Sequence, residues 1–500
     1  MARGIVAGGW NGVSSALGGL VALLALGAAG CSDGDDSTTP TGTLQAPLYA
    51  AGSTTFCVRD ATRGFDPTAG MTDGERLIIV EAWYPVEASV ASDGSAQRAR
   101  FGDYFDNDLE LLLRTERALL ETTGFAPEVV EQHMGLAPAQ FDVERGSYRN
   151  APIADRDSLF PVVLYSHGTL QQRFTNDTMA ENLAKQGYIV LAPEHTGNDA
   201  LAPFGAFCES EMTEPGVMSA ALSNNPAFDV GRNEYKGQTF DPFFLVGEAA
   251  PPTGPSINPI EVSLTLDRVA DYRATLAALD GALGEVGAAA DSTRVGIVGY
   301  SRGAMHGLVG AELIDDVQAS VALVGGTPLR FYANDAAAQP IHDALAGATG
   351  GARARLDALT KPVLDIIGGE DSRRKATTDA AAGIGVYDTP SAANPSPIVL
   401  DSFSTRSGAF GLLVSVADID HFDLVDDPFV VAYRAQGGIT RTGAFDPTKS
   451  YVLRLLAERQ AIRDHYVLAT LDVFLKGAPE GERFAATPFA DRGVNVTRGE

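Results

Sequence analysis

The chain has 500 residues, of which 45% are hydrophobic and 20% are charged, and its formal net charge at pH 7 is -27. This composition is ordinary for a globular protein, and one domain enlarged by insertions fits the length. The surplus of 64 Asp and Glu over 37 Lys and Arg argues against a nucleic-acid partner and against electrostatic docking to anionic lipids. We expect an acidic, well-solvated surface and a monomer.

The N-terminus has the pattern of a targeting segment, with an apolar stretch from Ala16 to Ala29 that is too short for a stable membrane span. The run LALGAAGC, ending at Cys31, resembles a bacterial lipoprotein signal, in which the Cys thiol carries diacylglycerol after cleavage. Residues 1–30 are therefore predicted as signal peptide and the polar residues 31–50 as a flexible tether. The resemblance, with Ser32, implies anchoring to the outer membrane; a periplasmic or secreted protein is the alternative.

Cysteine usage agrees with export. If Cys31 is acylated, Cys57 and Cys208 remain, and they could form one disulfide in an oxidising compartment. Two free buried thiols are the alternative interpretation.

The first folded segments read as a strand pair followed by helices. TTFCVRD and RLIIVEAWYP, separated by the turn signal TDGE, are rich in β-branched and aromatic residues and predict a hairpin-like pair. From about Gly102 to Ala137, apolar residues recur at helical spacing. The sequence therefore predicts a helical insertion within residues 102–150.

From Phe160 onward, apolar strands alternate with amphipathic helices. The predicted strands are PVVLYSHG, YIVLAPEH, RVGIVGYS, ASVALVGG, PVLDIIGGED and FGLLVSVADIDHF, and the predicted helices are TMAENLAKQG, VSLTLDRVADYRATLAALDG, the stretch after Ser301, a stretch through Leu359, and Tyr451 to Leu475. This order predicts an α/β fold whose mostly parallel sheet is covered by helices on both faces. One domain is expected over residues 51–478, with a C-terminal tail at 479–500.

Residues 198–258 interrupt the alternation with Pro, Gly, Asn and many aromatic residues, among them Phe204, Phe207, Phe228, Phe240, Phe243 and Phe244. A loop this long is usually functional or disordered, and its aromatic content argues against disorder. Two interpretations stay open: a cap over the site, or a packed surface excursion with its own small core.

The sequence GYSRG at residues 299–303 matches the pattern G-x-S-x-G, for which chance alone gives roughly 0.3 matches in this composition. Its context adds weight, because it follows a predicted strand directly and opens a predicted helix, as a nucleophile elbow must. Gly299 and Gly303 allow the backbone to approach such a strained turn without Cβ clashes. Ser301 is therefore the candidate nucleophile.

A serine nucleophile needs a base, and after an elbow of this kind the chain order is Ser, then acid, then His. Three of the seven His precede Ser301, namely His133, His167 and His195. Of the others, His306 lies on the helix that Ser301 opens, His342 precedes the candidate acid and His465 is mid-helix. Only His421 follows a predicted strand and enters a loop, so it is the candidate base.

The candidate acid is Asp371, which leaves the strand PVLDIIGGED after two Gly, so that its carboxylate can orient His421. Asp365, inside that apolar strand, and Glu370, pointing to the opposite side, are the alternatives.

Two backbone N–H groups should bind the oxyanion. One is expected from Arg302, the residue after the nucleophile, and the other from Thr169, in the loop after SHG. A simple turn is the alternative interpretation of that loop. There is no H-E-x-x-H, no Cys cluster, no EF-hand spacing and no G-x-G-x-x-G opening a helix after a strand, so neither a metal nor a cofactor is expected.

The segments GERLIIVEAWYP, FPVVLYSHGT, GYIVLAPEHTGN, GYSRG, PVLDIIGGEDS and DIDHFD together resemble the platelet-activating-factor acetylhydrolase and dienelactone-hydrolase-like branch of the α/β hydrolases. The resemblance spans about residues 54–475. It implies an α/β-hydrolase fold, a Ser-Asp-His triad, an oxyanion hole beginning at SHG, and no cofactor. Dienelactone hydrolases carry Cys where this chain has Ser301. In acetylhydrolases the acid usually follows the strand read here as VALVGGTP, which has no carboxylate, so Asp371 takes that role.

The expected reaction is hydrolysis of a carboxylic ester through an acyl-enzyme, in which His421 takes the proton of Ser301. The expected partner is a small apolar ester such as a short-acyl lipid, which suggests a role in lipid catabolism. The protein is expected to contact the membrane only through its lipid anchor. The alternatives are a lipase or polyester hydrolase, an amidase, or a non-catalytic binding module on the cell surface.

Overall fold

The computed structural model describes residues 46–94, 96–122, 127–237, 259–324, 336–368, 410–416, 419, 421–426, 440–442, 450–452, 456–484 and 489–498. Residues from Gly42 to Glu500 form one compact unit. The predicted signal peptide, Cys31 and the tether up to residue 45 lie outside the described residues. Tyr49 already packs edge-on against Phe160, so the folded unit begins slightly before residue 51, the predicted limit.

The strands follow the predicted alternation. In chain order they are β1 (Ala50–Asp60), β2 (Arg76–Val86), β3 (Arg98–Arg100), β4 (Glu144–Arg149), β5 (Phe160–Ser166), β6 (Ile189–Pro193), β7 (Leu201–Pro203), β8 (Phe228–Asp229), β9 (Glu234–Lys236), β10 (Ala290–Tyr300), β11 (Val317–Leu323), β12 (Val363–Gly368), β13 (Gly411–Val416), β14 (Thr440–Thr442), β15 (Ser450–Val452) and β16 (Val494–Arg498).

In the described part of the chain, eleven strands form one sheet in the order β16-β13-β12-β11-β10-β5-β6-β2-β1-β4-β3. The block from β6 to β13 is parallel throughout, and antiparallel pairing occurs at its two flanks, through β2 and β16. Central strands of this block are buried along their length, as expected for strands covered on both faces. The predicted mostly parallel sheet and the predicted β1–β2 hairpin are confirmed.

Helices cover both faces of the sheet. In chain order they are α1 (Val90–Asp93), α2 (Leu109–Thr122), α3 (Pro127–Met134), α4 (Ala137–Phe141), α5 (Asp177–Lys185), α6 (Phe204–Phe207), α7 (Glu209–Met212), α8 (Ala220–Ser223), α9 (Pro259–Ala277), α10 (Gly284–Ala288), α11 (Arg302–Leu313), α12 (Gln339–Ala348), α13 (Leu456–Lys476) and α14 (Glu480–Arg483). One core contains Val163 and Val298 with residues of α2, α5 and α13, and the other contains Leu164 and Ile297 with residues of α9, α11 and α12. Alternate strand residues thus face opposite helical layers.

Three predicted boundaries need correction. Residues 494–498, assigned to a C-terminal tail, form β16 antiparallel to β13, because Val494 and Val496 pair with buried strand residues. The insertion 102–150 is helical as predicted, but it ends in β4, which pairs with β1. The helix expected to run through Leu359 ends at Ala348. Among the helices that the structure describes, none has the length and apolar character needed to cross a bilayer.

The described part of the aromatic-rich insertion is a small packed unit. Strands β7, β9 and β8 form a three-stranded sheet. Phe204, Phe228 and Tyr235 pack edge-on around Phe65, which lies just after β1. The packed-excursion interpretation therefore holds for residues 198–237. Phe240, Phe243 and Phe244 lie outside the described residues, and a cap formed by that part of the insertion stays a prediction.

A disulfide joins this unit to the main sheet. Cys57 on β1 and Cys208, between α6 and α7, are bonded through sulfur, with their Cα atoms 5.3 Å apart. The bridge links positions 151 residues apart in the chain. It ties the first strand of the domain to the insertion.

Candidate active site

Ser301 lies in a strained turn between β10 and α11. Its φ of 54° and ψ of -119° are unusual for a non-glycine residue, and its side chain is half-buried. The Ser301 N–H donates to the Leu323 carbonyl oxygen at the end of β11 (2.9 Å), and the Ser301 carbonyl oxygen accepts from the Ala304 N–H (3.0 Å). This is the strand-to-helix elbow that the motif predicted.

The two glycines of the motif are required by close backbone approach. A Cβ on Gly299 would overlap the backbone of Gly303 across the turn, and a Cβ on Gly303 would overlap the carbonyl oxygen of Ser166 at the end of β5. The predicted reason for both glycines is therefore confirmed. The same contact brings the start of α11 against the loop that follows β5.

That loop, residues 166–170, is named the SHG loop here. Of the amides of residues 168–171, three have acceptors: Gly168 N–H donates to Gln171 Oε1 (3.1 Å), Leu170 N–H to Asn198 O (2.9 Å) and Gln171 N–H to Gly168 O (3.4 Å). The Thr169 amide has no hydrogen-bond acceptor within the described ranges. It is thus available to a ligand, as its predicted role requires.

Arg302 provides a second available amide. It is the first residue of α11, and helix geometry leaves its N–H without an intrahelical acceptor. The positive end of the helix dipole adds to the attraction for an anion at this position.

The ends of β10, β12 and β13 lie at the same edge of the sheet. Their register aligns Tyr300 with Leu323 of β11, and Leu323 with Ile366 of β12. Gly368, the last residue of β12, packs so closely on Ile419 that a Cβ would lie 2.7 Å from the Ile419 carbonyl oxygen.

The candidate acid and base follow these two strands in the chain. Asp371 comes three residues after Gly368, and His421 comes two residues after Ile419 and begins a short 3₁₀ helix that ends at Leu424. Asp371 and the His421 side chain lie outside what the structure describes, so their roles stay predictions.

The alternative acids and the lipidation site can be placed as follows. Asp365 lies inside β12 and is buried, as predicted. Glu370 and Cys31 lie outside the described residues.

The segment after His421 is fixed by a buried carboxylate. Asp426 accepts hydrogen bonds from Arg463 Nη1 on α13 (2.8 Å) and from the Met179 N–H in the first turn of α5 (3.0 Å). Its own N–H donates to Asn176 Oδ1 (3.1 Å). Asp426 therefore caps α5 from a distant part of the chain. It also fixes the end of residues 421–426, which are called the His421 segment below.

Solved structures share this fold. Among 361 matching chains is a ferulic acid esterase from Streptomyces cinnamoneus at 2.4 Å resolution, with a TM-score of 0.54 and 19% identity, covering 91% of this chain and 98% of that chain. At this identity the likeness establishes the α/β-hydrolase fold. No curated protein sequence matches the chain.

The family model for platelet-activating factor acetylhydrolase, isoform II, matches residues 129–219. The match covers β5, the SHG loop, α5 and β6, the part of the sheet next to the elbow. Over this segment the chain is similar to that family, and its fold is that of the α/β hydrolases.

A buried carboxylate holds the Arg302 side chain beside the elbow. Glu261, on α9, forms an ion pair with Arg302 Nη2 (3.2 Å) and accepts a hydrogen bond from His306 Nε2 (2.7 Å). Burial opposes ionisation of Glu261, but Arg302 and His306 outweigh it and lower its pKa to about 2. Burial lowers the pKa of His306 to about 4. His306 is therefore a neutral donor to an ionised carboxylate at neutral pH.

A buried Ser-His-Asp array begins at Ser166, the first residue of the SHG loop. Ser166 Oγ is 3.2 Å from His195 Nε2, and His195 Nδ1 is 3.0 Å from Asp271 Oδ2. The Ser166 hydroxyl accepts from Tyr272 (2.7 Å) and Arg268 (3.1 Å), so its own proton goes to His195.

This array is closed to substrate and its protons are fixed. Ser166, His195 and Asp271 are each 0% exposed. Burial and then Arg268 lower the pKa of His195 to about 3, so its ring is neutral. Burial alone would raise the pKa of Asp271, but Arg76 and Arg63 hold it well below its usual range. The array is a buried polar scaffold, while Ser301 is the half-buried serine of the elbow.

The sequence assigned no role to these groups. The chain order Ser, acid, His excludes His167 and His195 as the base, and the sequence pattern identifies Arg268 and Asp271 only as part of an amphipathic helix. The one available signal was polar residues directly after two adjacent strands, SHG and PEH. Among the described residues, no group of three or more His, Cys, Asp or Glu has an arrangement that could hold a metal.

Proposed function

We propose that the protein cleaves carboxylic esters with a triad of Ser301, Asp371 and His421. The observation that carries the proposal is the backbone of Ser301, held at φ 54° where β10 ends, beside the Arg302 N–H, which has no acceptor within α11. Strands β12 and β13, which lead to the other two residues, end at the same edge.

The proposed reaction proceeds through an acyl-enzyme. His421 takes the proton of Ser301 as its oxygen attacks the ester carbonyl, and Asp371 stabilises the resulting imidazolium. The amides of Arg302 and Thr169 bind the oxyanion, and His421 then protonates the leaving alcohol. Water, activated by His421, releases the acid. The proposed substrate is a small apolar ester such as a short-acyl lipid.

Two serine variants test the proposal. Ser301→Ala should lower kcat for a short p-nitrophenyl ester by on the order of a thousandfold or more and abolish labelling by a fluorophosphonate probe. Ser166→Ala is the matched control, because it removes a serine of the same array type that is closed to substrate. It should lose stability but keep the label. Unchanged hydrolysis by Ser301→Ala, or loss of labelling only in a folded Ser166→Ala, contradicts the assignment.

We further propose that the protein is exported as a monomer and anchored through a diacylglycerol on Cys31. The Cys57–Cys208 disulfide supports export, because such bonds persist in oxidising compartments. Mass spectrometry of the mature protein should find Cys31 as its modified first residue. An unmodified N-terminus at another position contradicts anchoring and indicates a secreted or periplasmic protein.

A further inference from the structure

The SHG loop is held from behind by two buried side chains. Arg268, on α9, donates from Nη1 to the His167 carbonyl oxygen (2.5 Å) and from Nη2 to the Gly168 carbonyl oxygen (3.4 Å). His167 Nδ1 is 2.8 Å from the same Gly168 oxygen and must be the donor, because a carbonyl only accepts. Arg268 and His167 are 1% and 0% exposed. The Gly168 carbonyl is thus fixed by donors that solvent does not reach.

The ring of His167 is itself fixed on its other side. The backbone N–H of His195 donates to His167 Nε2 (3.2 Å), so this nitrogen carries no proton. Burial, with Arg268 and His195, holds the pKa of His167 well below its usual range. The ring is therefore neutral, with its proton on Nδ1, and it donates to Gly168 throughout the neutral pH range.

The hydrogen bonds from Arg268 and His167 to the Gly168 carbonyl oxygen are called the clamp below. Because the peptide is planar, the clamp also fixes the direction of the Thr169 N–H. The C=O and N–H of a trans peptide point in opposite directions, so a Gly168 oxygen turned toward Arg268 and His167 directs the Thr169 N–H away from both. We propose that Arg268 and His167 are positioning residues that present the Thr169 N–H to the oxyanion formed at Ser301. This inference rests on the proposed function.

The clamp matters because an oxyanion donor is effective when it is already oriented. A preorganised amide costs no reorganisation as the negative charge develops, whereas a free peptide must be turned during the reaction. The oxyanion exists in the transition state and not in bound substrate, so loss of the clamp should lower kcat and leave KM nearly unchanged.

Two substitutions at His167 separate positioning from general packing. Asn places an amide nitrogen near the Nδ1 position and Gln places one near Nε2. His167→Asn should therefore keep most of the kcat for a p-nitrophenyl ester. His167→Gln should lose roughly tenfold to a hundredfold in kcat, with KM changed by less than about twofold. Arg268→Lys should behave like His167→Gln, because the single nitrogen on the shorter lysine side chain cannot occupy both the Nη1 and the Nη2 positions that contact the two carbonyl oxygens.

Tyr272→Phe is the matched control for stability. Tyr272 donates to Ser166 in the same buried network, and its hydroxyl makes no hydrogen bond to the Gly168 carbonyl. This variant should lower the melting temperature and leave kcat unchanged. If a His167 variant fails to fold, the comparison of Arg268→Lys with Tyr272→Phe decides.

The outcomes separate the two proposals. Equal kcat in His167→Asn and His167→Gln, or kcat losses in Arg268→Lys and Tyr272→Phe that follow their losses of stability, overturn the positioning role while leaving the triad intact. An inactive wild-type protein, or a fully active Ser301→Ala, rejects the proposed function and the positioning role with it.

Discussion

At the scale of single residues, three of the eight described non-glycine residues with positive φ lie around the elbow. Leu170, Ser301 and Val324 are non-glycine residues with φ values of 58°, 54° and 50°. One lies in the SHG loop, one is the candidate nucleophile, and Val324 follows Leu323, whose carbonyl oxygen accepts the Ser301 N–H. Such conformations cost about 1–3 kcal/mol each and persist where surrounding contacts enforce them, as at many functional sites.

Sequence analysis could identify the site residues that belong to a short motif within one stretch of the chain. Ser301 and its flanking glycines form a five-residue motif at a change from strand to helix, and both features can be read in one window. The contacts between Arg268 and the SHG loop join positions about 100 residues apart. No spacing rule links them, because they meet only when α9 packs on the sheet.

At the scale of elements, the strongly periodic segments were predictable and the short edge strands were not. Six apolar strands from β5 to β13 carry continuous hydrophobic runs, which burial on both faces requires. By contrast, β16 has five residues with alternating exposure, and β4 is mostly polar. Each is stabilised by pairing with a neighbouring strand, so neither has a clear signal of its own.

The capping of α5 by Asp426 predicts a link between two elements and catalysis. Asp426→Ala removes the acceptor of the Met179 N–H and one of the two buried carboxylates that pair with Arg463, the other being Asp464, which should cost about 1–3 kcal/mol of unfolding free energy. Because the His421 segment loses its anchor, kcat for a p-nitrophenyl ester should also fall.

Asp472→Ala is the control for that experiment. Asp472, on α13, accepts from the Tyr188 hydroxyl (2.8 Å) and is equally buried, but it does not touch the His421 segment. Urea unfolding and steady-state kinetics of the two variants should show similar losses of stability and a loss of kcat in Asp426→Ala alone. Similar kcat values in both would mean that the anchor does not position His421.

At the scale of the whole molecule, an acidic chain encloses several neutral histidines and ionised carboxylates. Composition predicted the acidic balance, and the order of strands and helices predicted the α/β class. It did not predict that charged groups such as Arg76 and Asp271 would be buried together, because their desolvation is offset by partners brought in by the fold. The buried histidines make folding stability depend on pH.

His306 gives the most direct test of that dependence. Its pKa is about 4 in the folded protein against an ordinary value of 6.5, so between these values the unfolded chain binds a proton that the folded protein does not. The contribution of neutral His306 to the unfolding free energy is complete above about pH 6.5, and it falls by roughly 3 kcal/mol as the pH is lowered toward 4.

In His306→Gln, the amide nitrogen replaces Nε2 as donor to Glu261 and does not titrate. Urea unfolding should therefore show that the unfolding free energy of the variant rises relative to that of wild type as the pH is lowered from about 7.5 to about 4.5. Glu181, whose pKa burial raises to about 7, changes stability in the opposite direction but equally in both proteins, so it cancels in the difference. A difference in unfolding free energy that stays constant across this range would show that His306 is not held neutral by burial.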